Sequence, residues 1–187
     1  MTEAAKYTGG QFIEVSMPCS NIHEQEAFWT GLFDAKVIFR GRMNGWPFTR
    51  IIVAGVSLVF REEENFEIPP GPDDEFNFCR HLGIRVADLN EAIENLKARG
   101  AKFVLTPDDV RQLQERRQED GRPLLEVDYI APPLNATRIT EGEFKHDVAI
   151  LVGPDNLWVE LNQIKQPVDA PWYPKLPVES SGLKGRS

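Results

Sequence analysis

The sequence contains a copy of itself, and that constrains its fold more than any other feature. At a displacement of 67 residues (81 − 14), Met17 falls on Ile84, Cys19 on Val86, Asn21 on Asp88 and Ile22 on Leu89. One residue then drops out of register, and Ala35-Lys36-Val37-Ile38-Phe39 falls on Ala101-Lys102-Phe103-Val104-Leu105. Further on, Leu58-Val59-Phe60 lies over Val159-Glu160-Leu161, so the second copy carries an insertion between its second and third strands. A module this small cannot bury one face of a sheet alone, and two in one chain solve that problem.

The first copy reads β-α-β-β-β. QFIEVSMPC alternates apolar and polar residues as a half-buried strand does. Asn21 offers an N-cap to IHEQEAFWTGLF, where Ile22, Ala27, Phe28, Leu32 and Phe33 recur near helical spacing and Gly31 weakens the second half. AKVIFR predicts a strand, GRMNGW a turn, and FTRIIVAG and VSLVFREE two further strands around a corner at Gly55. In the second copy FCRHLGIRV predicts a strand, Asp88 caps the amphipathic LNEAIENLKARG, Gly100 stops it, and AKFVLTP is a strand closed by Pro107. KHDVAILVGPD and NLWVELNQI complete the module. The expected organisation is a first module over 11–66, a Pro- and Asp-rich linker over 67–77, and a second module over 78–164. An insertion at 108–142 holds a polar helix and a loop or short strand around LLEVDYI, and a Pro/Ser/Gly-rich tail covers 165–187.

Composition excludes several function classes. The formal charge of −8 argues against nucleic acid as partner, because phosphate binding needs a concentrated basic surface. The longest apolar runs are too short to span a bilayer, and MTEAAKYTGG lacks the apolar core of a secretory signal. Cys19 and Cys79 make no disulfide framework and read as reduced thiols of a cytoplasmic protein.

Alternation along strands sorts side chains onto faces. With Leu82, Ile84 and Val86 toward the helices, His81, Gly83 and Arg85 face the other way. The same parity turns Glu14, Ser16 and Pro18 away from the core side of Val15, Met17 and Cys19, and Trp158 and Glu160 away from Val159 and Leu161.

These residues resemble the vicinal-oxygen-chelate superfamily, which holds the glyoxalases, bleomycin-resistance proteins and extradiol dioxygenases. Glu14-Val-Ser-Met-Pro-Cys-Ser-Asn21 with Phe28-Trp29 is similar to the opening of its modules, with glutamate where histidine is common; His81-Leu-Gly-Ile-Arg-Val-Ala-Asp88 matches that opening with histidine included. Gly153-Pro-Asp-Asn-Leu-Trp-Val-Glu160-Leu is similar to its closing strand. The resemblance implies an α+β fold of two paired βαβββ modules forming a cupped mixed sheet. It also implies one divalent metal ion (Fe, Mn, Zn or Ni) held inside the cup by Glu14, His81 and Glu160, a donor set suited to those ions. A fourth ligand is common near the end of the first module, but Val59 stands there.

The function so implied is a metal-dependent lyase or isomerase acting on a small oxygen-chelating substrate through an enolate-like intermediate, with Glu14 or Glu160 moving protons. Arg50, Arg85, Trp158 and Tyr129 are the candidate substrate-binding residues. Two alternatives stay open. One is an Fe(II)-dependent ring-cleaving dioxygenase, which the three-ligand count suits and the glutamate at position 14 does not. The other is a non-catalytic drug-binding protein, which would keep its ligand affinity in EDTA. The expected partner is a small molecule, with neither nucleic acid nor membrane, and sheet edges leave a homodimer open.

Overall fold

A computed structural model describes residues 13–71, 80–121 and 146–164. The chain divides into two compact units, Met1–Ile68 and Pro69–Ser187. In the first, β1 (Val15–Cys19) leads into α1 (Ile22–Phe33), followed by β2 (Lys36–Met43), β3 (Trp46–Val53) and β4 (Val56–Glu62). The sheet order is β1-β4-β3-β2, with β1 parallel to β4 and the other pairs antiparallel.

The second unit repeats this plan. β5 (His81–Arg85), α2 (Leu89–Ala98), β6 (Phe103–Leu105), α3 (Pro107–Glu119), β7 (His146–Val152) and β8 (Trp158–Ile164) give a sheet ordered β5-β8-β7-β6, again parallel only at its first pair. The registers also repeat. Val15 pairs with Leu58 and Ser16 with Val59, while Leu82 pairs with Val159 and Gly83 with Glu160. Val59 thus occupies the ladder position that Glu160 holds in the second copy. The βαβββ α+β fold expected from the repeat is the fold observed.

Local chemistry explains the element boundaries. The Asn21 side chain accepts from the backbone N–H of His23 (2.8 Å) and Glu24 (3.3 Å), satisfying donors that the first turn leaves open. Asp88 does the same for Glu91 N–H at 3.0 Å. Thr106 and Asp109 form a reciprocal capping box around Pro107, so the proline expected to close a strand also opens α3. The turn chemistry read over GRMNGW narrows to two residues. β2 runs on to Met43, and Asn44 and Gly45 both adopt positive φ, the backbone of a tight hairpin that keeps strand twist. Ala54-Gly55 repeats that device between β3 and β4.

One expected face is corrected. The buried side of α1 is Ile22, Gln25, Glu26, Trp29 and Leu32, whereas Ala27 is exposed and Phe28 and Phe33 are only half-buried. Two polar residues lie under the helix because each finds a partner there. Gln25 Oε1 accepts from Trp29 Nε1 at 3.3 Å, and Glu26 accepts a bidentate pair from Arg40 of β2 at 2.7 to 2.9 Å. Trp29 is wholly buried and stacks on Phe60, 6.4 Å between ring centroids. In the second unit α2 buries Leu89, Ala92, Ile93 and Leu96 and contacts β7 and β8, whose Leu151, Val159 and Leu161 lie on that side. Each such aliphatic side chain contributes about 1.5–3 kcal/mol on burial. No helix among the described residues is long and apolar enough to cross a membrane.

Candidate metal centre

The ladders fix which side chains share the sheet face opposite the helices, since partners in register point the same way. In the second unit this gives three rows across the strands. His81 lies level with Trp158 and Val152; Gly83 with Glu160, Ile150 and Leu105; Arg85 with Asn162 and Val148. His81, Arg85, Trp158 and Glu160 therefore stand on one face, as strand parity predicts. Glu160 is in the middle of it.

The surroundings of Glu160 are of two kinds. On one flank Trp158, Ile150 and Val148 form a buried apolar cluster, with Leu105 and Val152 packed against it. Trp158 is only 2% exposed and is part of this cluster. On the other flank Gly83 presents no side chain, and among the described residues the place its Cβ would take touches nothing nearer than Asn162 Nδ2 at 3.7 Å. Asn162 in turn donates to Glu160 Oε1 at 2.7 Å. A carboxylate only accepts, which fixes the amide nitrogen as the atom that meets it.

The donor chemistry of this face fits a divalent ion. An imidazole and a carboxyl group lie on adjacent strands, two residues apart in register, with a glycine across from the carboxyl group. Both side chains are half-buried, and an ionised carboxylate beside an apolar cluster is costly without a cation or hydrogen-bond donors. Among the described residues no three His, Cys, Asp or Glu side chains are grouped as a metal centre, so the fit rests on this pair.

In the first unit Glu14 occupies the place that His81 holds in the second. It pairs with the guanidinium of Arg50, each side chain about one-third exposed. Arg50 also lies over the Phe39 ring, 5.2 Å from its centroid, and its Nε is buried without a hydrogen-bond partner among the described residues. Ladder positions make the contrast between copies explicit. Arg50 and Phe39 stand where the second copy has Ile150 and Leu105. One copy thus offers a cation on an aromatic ring, the other a carboxylate beside aliphatic side chains.

The remaining sites divide cleanly. Arg85 is half-buried on the His81 face, and Arg80, just before β5, donates to the Asp155 carbonyl at 3.3 Å. His23 is exposed on the first turn of α1. Tyr129, together with LLEVDYI and Cys79, lies outside the described residues. Sequence reasoning missed Asn162 and the open place at Gly83. The same parity that selected Glu160 also selects the residue two positions on, so the signal for Asn162 was present.

Residues 11–116, more than half of the chain, match the family model described as Glyoxalase/Bleomycin resistance protein/Dioxygenase superfamily. No curated protein sequence matches the chain. Among solved structures, a glyoxylase/bleomycin resistance protein/dioxygenase domain from Frankia sp. EAN1pec is 17% identical with a TM-score of 0.52, covering 84% of this chain and 100% of that one. The genomically encoded fosfomycin resistance protein FosX from Listeria monocytogenes, in a monoclinic form, is 13% identical with a TM-score of 0.51, covering 83% and 91%. Its E126Q mutant, solved with Mn(II) and 1S,2S-dihydroxypropylphosphonic acid, is 14% identical with a TM-score of 0.49, covering 83% and 90%. At these identities the likeness is one of fold. Repeat, topology and family match agree, and the chain belongs to the Glyoxalase/Bleomycin resistance protein/Dioxygenase superfamily, the vicinal-oxygen-chelate proteins.

Proposed function

We propose that this chain is a divalent-metal-dependent lyase or isomerase for a small substrate bearing two neighbouring oxygens, with His81, Glu160 and Glu14 as the metal ligands. The observation that carries the reading is the shared face of His81 and Glu160 with the open place at Gly83 between them. When bound, the ion supplies Lewis acidity that lowers the cost of negative charge on a substrate oxygen. The chain's own residues supply the rest. Glu14 or Glu160, whichever is held more loosely, moves the proton. Arg50 and Arg85 bind an anionic end of the substrate, Arg50 already braced on Phe39. Trp158 and its aliphatic neighbours keep water from the apolar flank of Glu160, and Tyr129 donates to a substrate oxygen.

The test is elemental analysis of the freshly purified protein beside His81→Ala. The expected result is one Fe, Mn, Zn or Ni per chain, lost in the variant. Protein that holds no metal even after reconstitution would overturn the reading.

A second reading has its own support. Val59 stands at the ladder position of Glu160, so the proposed set has three protein ligands, a count that also suits an Fe(II)-dependent ring-cleaving dioxygenase. Iron as the bound element, with oxygen uptake on adding catechols, would select it. Zinc or nickel without oxygen uptake would select the lyase or isomerase.

A further inference from the structure

We infer that Asn162 is a positioning residue for Glu160, holding one carboxylate oxygen so that the other is presented to a bound metal ion; this rests on the metal-binding reading above. Asn162 and Glu160 are two residues apart on β8 and therefore project from the same face. The amide donates to Oε1 at 2.7 Å, at the short end for a nitrogen donor. One acceptor site of Oε1 is thereby occupied, which restrains rotation of the carboxyl group, while Oε2 meets no hydrogen-bond donor among the described residues.

The strand that carries the amide is itself held in place. The backbone of Asn162 is fixed by register, opposite Arg85 on β5 and Val148 on β7, and its carbonyl accepts from Val86 N–H at 2.9 Å. Gly83 leaves the amide room on the β5 side, where any side chain would begin 3.7 Å from Nδ2. At the matching position of the first copy the residue is Arg61 and the residue across the ladder from Ser16 is Val59, so that copy holds neither the carboxylate nor the amide. Amide and carboxylate occur together. That is the pattern expected of a ligand and the group that orients it.

The experiment is calorimetric titration of the full-length metal-free protein with Mn(II) and, separately, Zn(II). It compares the wild type, Asn162→Ala, the near-isosteric Asn162→Leu, Glu160→Gln and Asn162→Ala combined with Glu160→Gln. Positioning predicts that both Asn162 variants bind about 10- to 100-fold more weakly, while the metal-free proteins melt within a few degrees of wild type. It also predicts that Asn162→Ala has almost no further effect once Glu160 is Gln, because the two then act through one ligand. Wild-type affinity in both Asn162 variants, or the same loss with and without Glu160, overturns the inference and leaves the metal site standing. A wild type that binds neither ion overturns both.

Discussion

Glu26 shows how one charged side chain can sit under a helix when a cation reaches it. Burial alone would raise its carboxyl pKa, but the hydrogen bonds and charge of Arg40, with the buried Thr49 hydroxyl close by, outweigh it and hold the pKa below the ordinary 4.5. The Thr49 hydroxyl lies outside strict hydrogen-bond geometry, so Arg40 is the partner that matters most. Because the folded-state pKa is depressed, the stabilisation is present above pH 4.5 and is lost as pH falls through the folded value. Arg40 is more than half exposed and Glu26 almost buried, so the two halves of the pair are not equivalent. Arg40→Ala strands a largely buried carboxylate and should be the more destabilising of the two changes. Glu26→Gln leaves a solvated guanidinium, should cost less, and should flatten the acid limb of stability. Urea melts of both variants across the acid range check the order; equal losses, or an unchanged acid limb in Glu26→Gln, would refute this account.

At the scale of the element, the sequence was legible wherever local rules decide. Alternation placed His81 with Glu160 and Trp158, and the Asn21 and Asp88 caps set the starts of α1 and α2. It was misleading where a partner comes from far along the chain. The buried side of α1 includes Gln25 and Glu26, and the Arg40 that makes Glu26 tolerable lies 14 residues away, invisible to any hydrophobic periodicity. Trp158 lies on the expected face but is buried, because Val148 and Ile150 of the adjacent strand β7 pack beside it, which alternation within β8 alone does not show. Local rules also carry a prediction. Asp88→Ala removes the acceptor that satisfies Glu91 N–H and should cost about 1 kcal/mol. Gly45→Ala forces a Cβ into a backbone at φ 85° and should cost at least as much, about 1 kcal/mol. In a chain of this length each should lower the melting temperature by about 2–4 °C, read by thermal melts of the single variants. A melting point unchanged in Asp88→Ala would mean that α2 is held by Leu89, Ile93 and Leu96 alone.

For the whole molecule, duplication provided two copies of one ladder and the copies have diverged in chemistry. The second keeps a histidine, a carboxylate and its amide on one face; the first has Glu14 at the histidine position and Val59 at the carboxylate position, with Arg50 beside them. A ligand set of Glu14, His81 and Glu160 would make metal affinity a property of both copies, whereas a site of the second copy alone would ignore position 14. Glu14→Gln separates these. Its folding cost should be under about 1 kcal/mol, because the pair with Arg50 is one-third exposed and screened by solvent. Its cost in affinity should be far larger: a neutral amide is a poor ligand for a hard divalent ion, and Mn(II) binding should weaken by at least about tenfold, the scale of losing one supporting group. Titration of Glu14→Gln beside Arg50→Ala distinguishes ligand from neighbour. Arg50→Ala removes a competing cation and should bind Mn(II) at least as tightly as wild type. Equal affinity in wild type and Glu14→Gln would confine the metal to the second copy and leave Glu14 as the ion-pair partner of Arg50.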